Sequence, residues 1–117
     1  MRTRLLRAKK VYISKEKIDM RKSINGLAAI VQEHFDLDAY TGTLFVFMNV
    51  NKTRLKILQW DIDGFVLYYK RREKGHFCWP EFDDKVGAIT ISESDLNRLL
   101  DGLVMEQFVP KINYVVV

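Results

Sequence analysis

Eight side chains in this sequence have the chemistry to hold a polyanion. Arg21 and Lys22 stand near the start of the chain, Arg54 and Lys56 near its middle, and Tyr69, Lys70, Arg71 and Arg72 follow close behind. Guanidinium and ammonium groups neutralise phosphates, and an aromatic ring beside them offers a face on which a base stacks. These eight are the candidate nucleic-acid-binding residues. The competing description is that the longer basic side chains lay their stems over the core and keep their heads in water.

Other constellations are weaker. Asp61 and Asp63 would suit metal-assisted phosphoryl transfer only with further converging carboxylates. They flank Ile62 next to Gly64, where Asp bonds its own backbone, so a turn is expected. Glu81, Asp83 and Asp84 read as a solvated loop. His76 and Cys78 share a strand face, but a closed zinc site needs four ligands and His34 is the only other histidine. No catalytic residue, metal or cofactor is expected. Phe77 and Trp79 read as core residues, with base stacking or partner anchoring as the alternatives.

The charge balance fits a polyanion ligand. The formal net charge is +4, yet residues 1–22 carry nine Lys/Arg against Glu16 and Asp19, and residues 52–74 carry seven against Asp61, Asp63 and Glu73. Such asymmetry is an argument about association and not about fold. At 48% hydrophobic and 29% charged, the chain is unlike a disordered one, and 117 residues suit one domain with one core. Cys78 alone permits no internal disulfide, which suits a cytoplasmic location. No apolar run is long enough to span a bilayer, and the basic N-terminus lacks a signal-peptide core.

The elements that must position these groups follow from periodicity. Residues 1–10 form a basic arm, and Val11–Ile13 a short strand. Met20, Ile24, Leu27, Val31 and Phe35 recur at helical spacing, predicting a helix from Asp19, as N-cap, to about Phe35. Arg21 and Lys22 would then oppose the helix dipole in its first turn, where free N–H groups also attract phosphate. Gly26 inside that helix suggests a close packing neighbour. Strands are expected at 43–49, 54–60 and 64–72 as an antiparallel meander, then at "HFCW" and "VGAITI". Ser92 and Asp95 stand at capping-box spacing before a helix with Leu96, Leu99, Leu100 and Leu103 on its apolar stripe and Gly102 near its end. Residues 111–117 are β-prone. The fold class is α+β: a single domain with an antiparallel meander sheet, a helix in the N-terminal half and a C-terminal helix.

Alternation along the hairpin sorts its side chains. A two-residue turn within Asp61–Gly64 puts Arg54, Lys56, Leu58, Trp60, Phe65, Leu67, Tyr69 and Arg71 on one face. Leu55, Ile57, Gln59, Val66, Tyr68 and Lys70 take the other. Arg54, Lys56, Tyr69 and Arg71 gather at the end far from the turn.

These residues resemble a known family. "DMRKSINGLAAIV", "LFVFMN", "RLKILQWDIDGFVLYYKRREKGHFCWP" and "LNRLLDGL" look like the TnpB-type accessory protein, the second reading frame, of the sixty-six family of bacterial insertion sequences. The likeness covers about Val11 to Leu103. Gln59 stands where the family commonly has a second tryptophan, Arg72 where it has an aliphatic residue, and "NYVVV" where its tail is often basic. The resemblance implies a non-enzymatic role in transposition beside a larger transposase, and supplies no catalytic residues. DNA and the element's transposase are the expected partners. A module that only docks the transposase is the alternative reading, and a small nuclease a distant one.

Overall fold

The computed structural model of the chain describes residues 10–80 and 87–106. Residues 1–9 of the basic arm, the acidic loop at Glu81–Asp84 and the β-prone tail lie outside the described residues. The element order is β1 (Val11–Ser14), α1 (Ile24–Glu33), β2 (Leu44–Met48), β3 (Arg54–Asp61), β4 (Gly64–Arg71), β5 (Ala88–Ile91) and α2 (Glu93–Leu100). The strands form one sheet in the order β4-β3-β2-β1-β5.

β2, β3 and β4 are the expected antiparallel meander. The sheet as a whole is mixed, because β1 lies parallel to β2 and β5 antiparallel to β1. A parallel pair needs a crossover, and α1 with its flanking loops supplies it. The two helices cover opposite faces. Leu27 and Val31 of α1 pack on Phe45, Phe47 and Leu58, while Leu96, Leu99 and Leu100 of α2 pack on Leu44, Val46, Leu55 and Ile57. β2 is the middle strand between them, and all five of its residues are buried. That explains its unbroken apolar run, since a strand covered on both faces has no polar side.

Two expected boundaries move. α1 starts at Ile24, not Asp19, with Ser23 at the cap position making no side-chain cap bond. The Met20 and Lys22 carbonyls accept hydrogen bonds from Lys56 Nζ at 2.7 and 2.8 Å, so they point at the sheet instead of along a helix axis. Arg21 and Lys22 therefore lie in a loop, and the conflict with the helix dipole does not arise. The second shift is at "HFCW", which makes no ladder. The Phe77 N–H donates to the Lys52 carbonyl at 2.7 Å, and Phe77 and Trp79 join the core under α2. The segment crosses a sheet face instead of extending an edge.

α2 follows its sequence signals. Ser92 Oγ accepts from the Asp95 N–H at 3.0 Å, and Glu93 and Asp95 occupy the acid-favouring first turn. Past its end, the Gly102 N–H donates to the Leu99 carbonyl and the Leu103 N–H to that of Arg98, with Gly102 at φ +78°. This is a Schellman ending, which needs a left-handed residue and so favours glycine. Leu103 falls beyond the helix and is exposed, so it leaves the apolar stripe.

Candidate nucleic-acid interface

The β3–β4 turn contains Ile62 and Asp63, and the register pairs Trp60 with Phe65, Lys56 with Tyr69 and Arg54 with Arg71. Arg54, Lys56, Tyr69 and Arg71 thus share one face at the far end of the hairpin. The Arg72 N–H donates to the Thr53 carbonyl at 2.8 Å, so the neighbouring Arg54–Arg71 pair is a non-hydrogen-bonded one. In such pairs the side chains stand closest, and like charges directly opposed are unfavourable.

The eight candidates separate into three environments. Lys56 is buried, at 8% exposure, and its ammonium bonds the Met20 and Lys22 carbonyls and lies 5.5 Å from the Tyr69 ring centroid. It ties the loop before α1 to the sheet. It is neither a solvated head nor an open cation. Lys70 and Arg72 point to the opposite face. Lys70 Nζ donates to the Leu100 carbonyl at the C-terminal end of α2, where a cation complements the helix dipole. The Arg72 guanidinium lies 5.7 Å from the Phe77 ring centroid, and its Nε donates to the Lys74 carbonyl.

Arg21, Lys22, Arg54, Tyr69 and Arg71 remain, all exposed and on the α1 side of the sheet. Arg21, Arg54 and Tyr69 line a groove of about 420 Å³ together with Asp19, Asn49 and Asn51. Three devices shape it. Lys56 holds the loop of Arg21 from below. Asn49 Oδ1 accepts from the Thr53 and Arg54 N–H groups, both at 2.9 Å, and closes the β2–β3 turn. The Ile18 N–H donates to the Met48 carbonyl and docks the loop on the end of β2.

Electrostatics leave the groove basic. Asp19 receives the Arg21 guanidinium at 2.6 Å and the Arg21 N–H at 2.9 Å. These bonds, with the nearby charges of Arg21 and Lys22, hold its carboxyl down at about 2 against an ordinary 3.8. Arg71 pairs with Glu73 at 2.8 Å, and that bond raises the Arg71 pKa. Arg54 has no acidic partner among the described residues. Asn49 and Asn51 were not candidates from sequence. Asn49 carries the turn signal of "MNVNKT", but its place at a groove wall depends on the neighbouring loop.

Nothing else in the described residues gathers for chemistry. The Asp63 N–H bonds the Asp61 carbonyl within the hairpin turn, as turn residues do. Cys78 Sγ lies against the Gly102 carbonyl, and among the described residues no three His, Cys, Asp or Glu side chains converge to hold a metal. No helix among the described residues is long and apolar enough to cross a membrane.

The model of the family described as IS66 Orf2 like protein matches residues 9–110. Two proteins of Sinorhizobium fredii (strain NBRC 101917 / NGR234) are similar, both titled uncharacterized. Protein y4hO is 38% identical over 94 residues, 80% of each chain, and y4jC is 33% identical over 97 residues, 83% of this chain and 81% of its own. No solved structure matches. The family match spans the sheet, both helices and every groove residue, so the chain belongs to the IS66 Orf2-like family, and with it to the accessory proteins of insertion-sequence transposition.

Proposed function

We propose that this protein is a non-enzymatic transposition factor that binds DNA through the groove face, with Arg21, Lys22, Arg54 and Arg71 on phosphates and Tyr69 beside a base or sugar. Lys56 supports this surface from within the fold, while Lys70 and Arg72 serve the opposite, α2 face of the sheet. The observation that carries the reading is the side-by-side pair Arg54–Arg71 on an exposed strand end. Of these two cations only Arg71 has an acidic partner among the described residues, the exposed Glu73, so a positive charge is left over at this strand end, and a phosphate there can accept from both arginines.

The test is a salt titration of duplex DNA affinity for wild type and for Arg54→Ala with Arg71→Ala. Each phosphate contact contributes about 0.9 to the slope of log K against log[salt]. The double variant should weaken binding on all sequences and flatten that slope by about two contacts. Unchanged affinity and slope in a folded variant reject the DNA interface.

A second reading has its own support. Tyr40, Trp60 and Phe65 form an aromatic cluster with ring centroids 5.0 to 5.3 Å apart beside the hairpin turn, where Ile62 is 81% exposed. Aromatic groups of this kind anchor protein partners. On this reading the hairpin tip docks the element's transposase. Pull-down of the transposase after nuclease treatment, lost on Ile62→Asp with Tyr40→Ala, is its test; retention in that variant rejects it.

A further inference from the structure

The two edges of the sheet differ. β5 is a four-residue edge, short enough to resist pairing. β4 is an eight-residue edge, and its register with β3 is unbroken from Gly64 to Arg71, with no bulge and no proline. Its central run, Phe65-Val66-Leu67-Tyr68-Tyr69, carries no charge. Among the described residues nothing pairs with its outer side. A long, straight, apolar edge is what soluble proteins normally avoid.

We infer that β4 is the seam of a homodimer, in which two copies pair antiparallel through β4 to make one continuous sheet. The hydrogen-bond pattern says which groups are available. The Thr53–Arg72 bond and the two-residue turn set the alternation, so Phe65, Leu67, Tyr69 and Arg71 aim their N–H and C=O groups at the open edge. A two-fold axis must match these residues with each other. Placing the axis at Leu67 sets Leu67 on Leu67 of the second copy, Phe65 on Tyr69, Val66 on Tyr68 and Asp63 on Arg71. From Phe65 to Tyr69 every residue then meets an apolar or aromatic one, and the exposed Asp63 carboxylate at the turn meets the strand end of Arg71, whose guanidinium also holds Glu73. Shifting the axis to Tyr68 would take Asp63 away from Arg71 and set Phe65 against Arg71 instead. Charge complementarity therefore selects both the occupant, a second copy, and the register.

In this arrangement the α1 faces of both copies lie on the same side of the joined sheet, because a two-fold axis normal to a sheet preserves its faces. The two basic strand ends are then separated by about eight residues, roughly 27 Å at 3.4 Å per residue.

Sedimentation or light scattering at tens of micromolar tests the inference, with an expected mass twice the 13.8 kDa of the monomer. Tyr69→Pro removes one outward N–H and leaves the β3 ladder intact, so it should sediment as a monomer with an unchanged circular dichroism spectrum. Asp63→Arg, at an exposed turn position, should raise the dimer dissociation constant about tenfold or more, and adding Arg71→Asp should restore it. A monomeric wild type overturns the proposal, whether or not deletion of residues 107–117 then releases a dimer. A dimer indifferent to both Tyr69→Pro and the charge swap overturns it equally, and one lost only in Tyr69→Pro overturns the register.

Discussion

Replacing Lys56 by methionine separates a structural lysine from a surface one. Methionine keeps most of the stem and removes the charge and all three donors. In the folded protein the ammonium satisfies the Met20 and Lys22 carbonyls and sits against the Tyr69 ring. A hydrogen bond to a charged group contributes about 1.5–3 kcal/mol, and the loop it holds is open enough for water to recover part of the loss. The expected cost is about 2–4 kcal/mol, whereas removal of a solvated lysine stays within roughly 0.5 kcal/mol. Urea unfolding measures it directly, since the midpoint should fall with little change in slope. DNA affinity should fall more than the loss of one charge explains, because Arg21 and Lys22 lose their anchor. A stability change under about 0.5 kcal/mol would refute the clamp and return Lys56 to the surface patch.

Three further outcomes follow from local geometry. Gly26→Ala should stabilise the protein by roughly 0.5–1 kcal/mol in chemical denaturation, because an added Cβ meets only the Lys22 side chain at 3.5 Å. Gly102→Ala should lower the melting temperature by several degrees, corresponding to about 1 kcal/mol or more, since the residue sits at φ +78° and a Cβ there would strike the Arg72 guanidinium. The Asp19 carboxyl, followed by NMR, should titrate near 2 and return toward 3.8 in Arg21→Ala. Because its folded pKa is depressed, the stability it confers is present above about 3.8 and lost as pH falls toward 2.

Much of the architecture is already written in local pattern. The meander, its two-residue turn and its face assignment follow from period-two alternation around "DIDG", because side-chain direction along a strand is a local property. α2 is equally legible, with Ser92 capping it and Gly102 ending it. Family membership was legible in the same residues, because the resemblance rests on the hairpin and α1 motifs that the match spans.

Packing alone settles which charges are at work inside the fold. Lys56 and Arg54 stand two residues apart on one face and read alike, yet one is buried under a loop and the other is open. Lys70 and Arg71 are adjacent, and the strand sends one to the end of α2 and the other to the exposed α1 side, where it pairs with Glu73. No pattern in the chain says that the loop after Ile18 turns its carbonyls back onto the sheet, which delays α1 to Ile24. That depends on a lysine 34 to 36 residues away in sequence finding those carbonyls. The fate of a long cationic side chain is set by what packs above it, and periodicity reports only the face it leaves from.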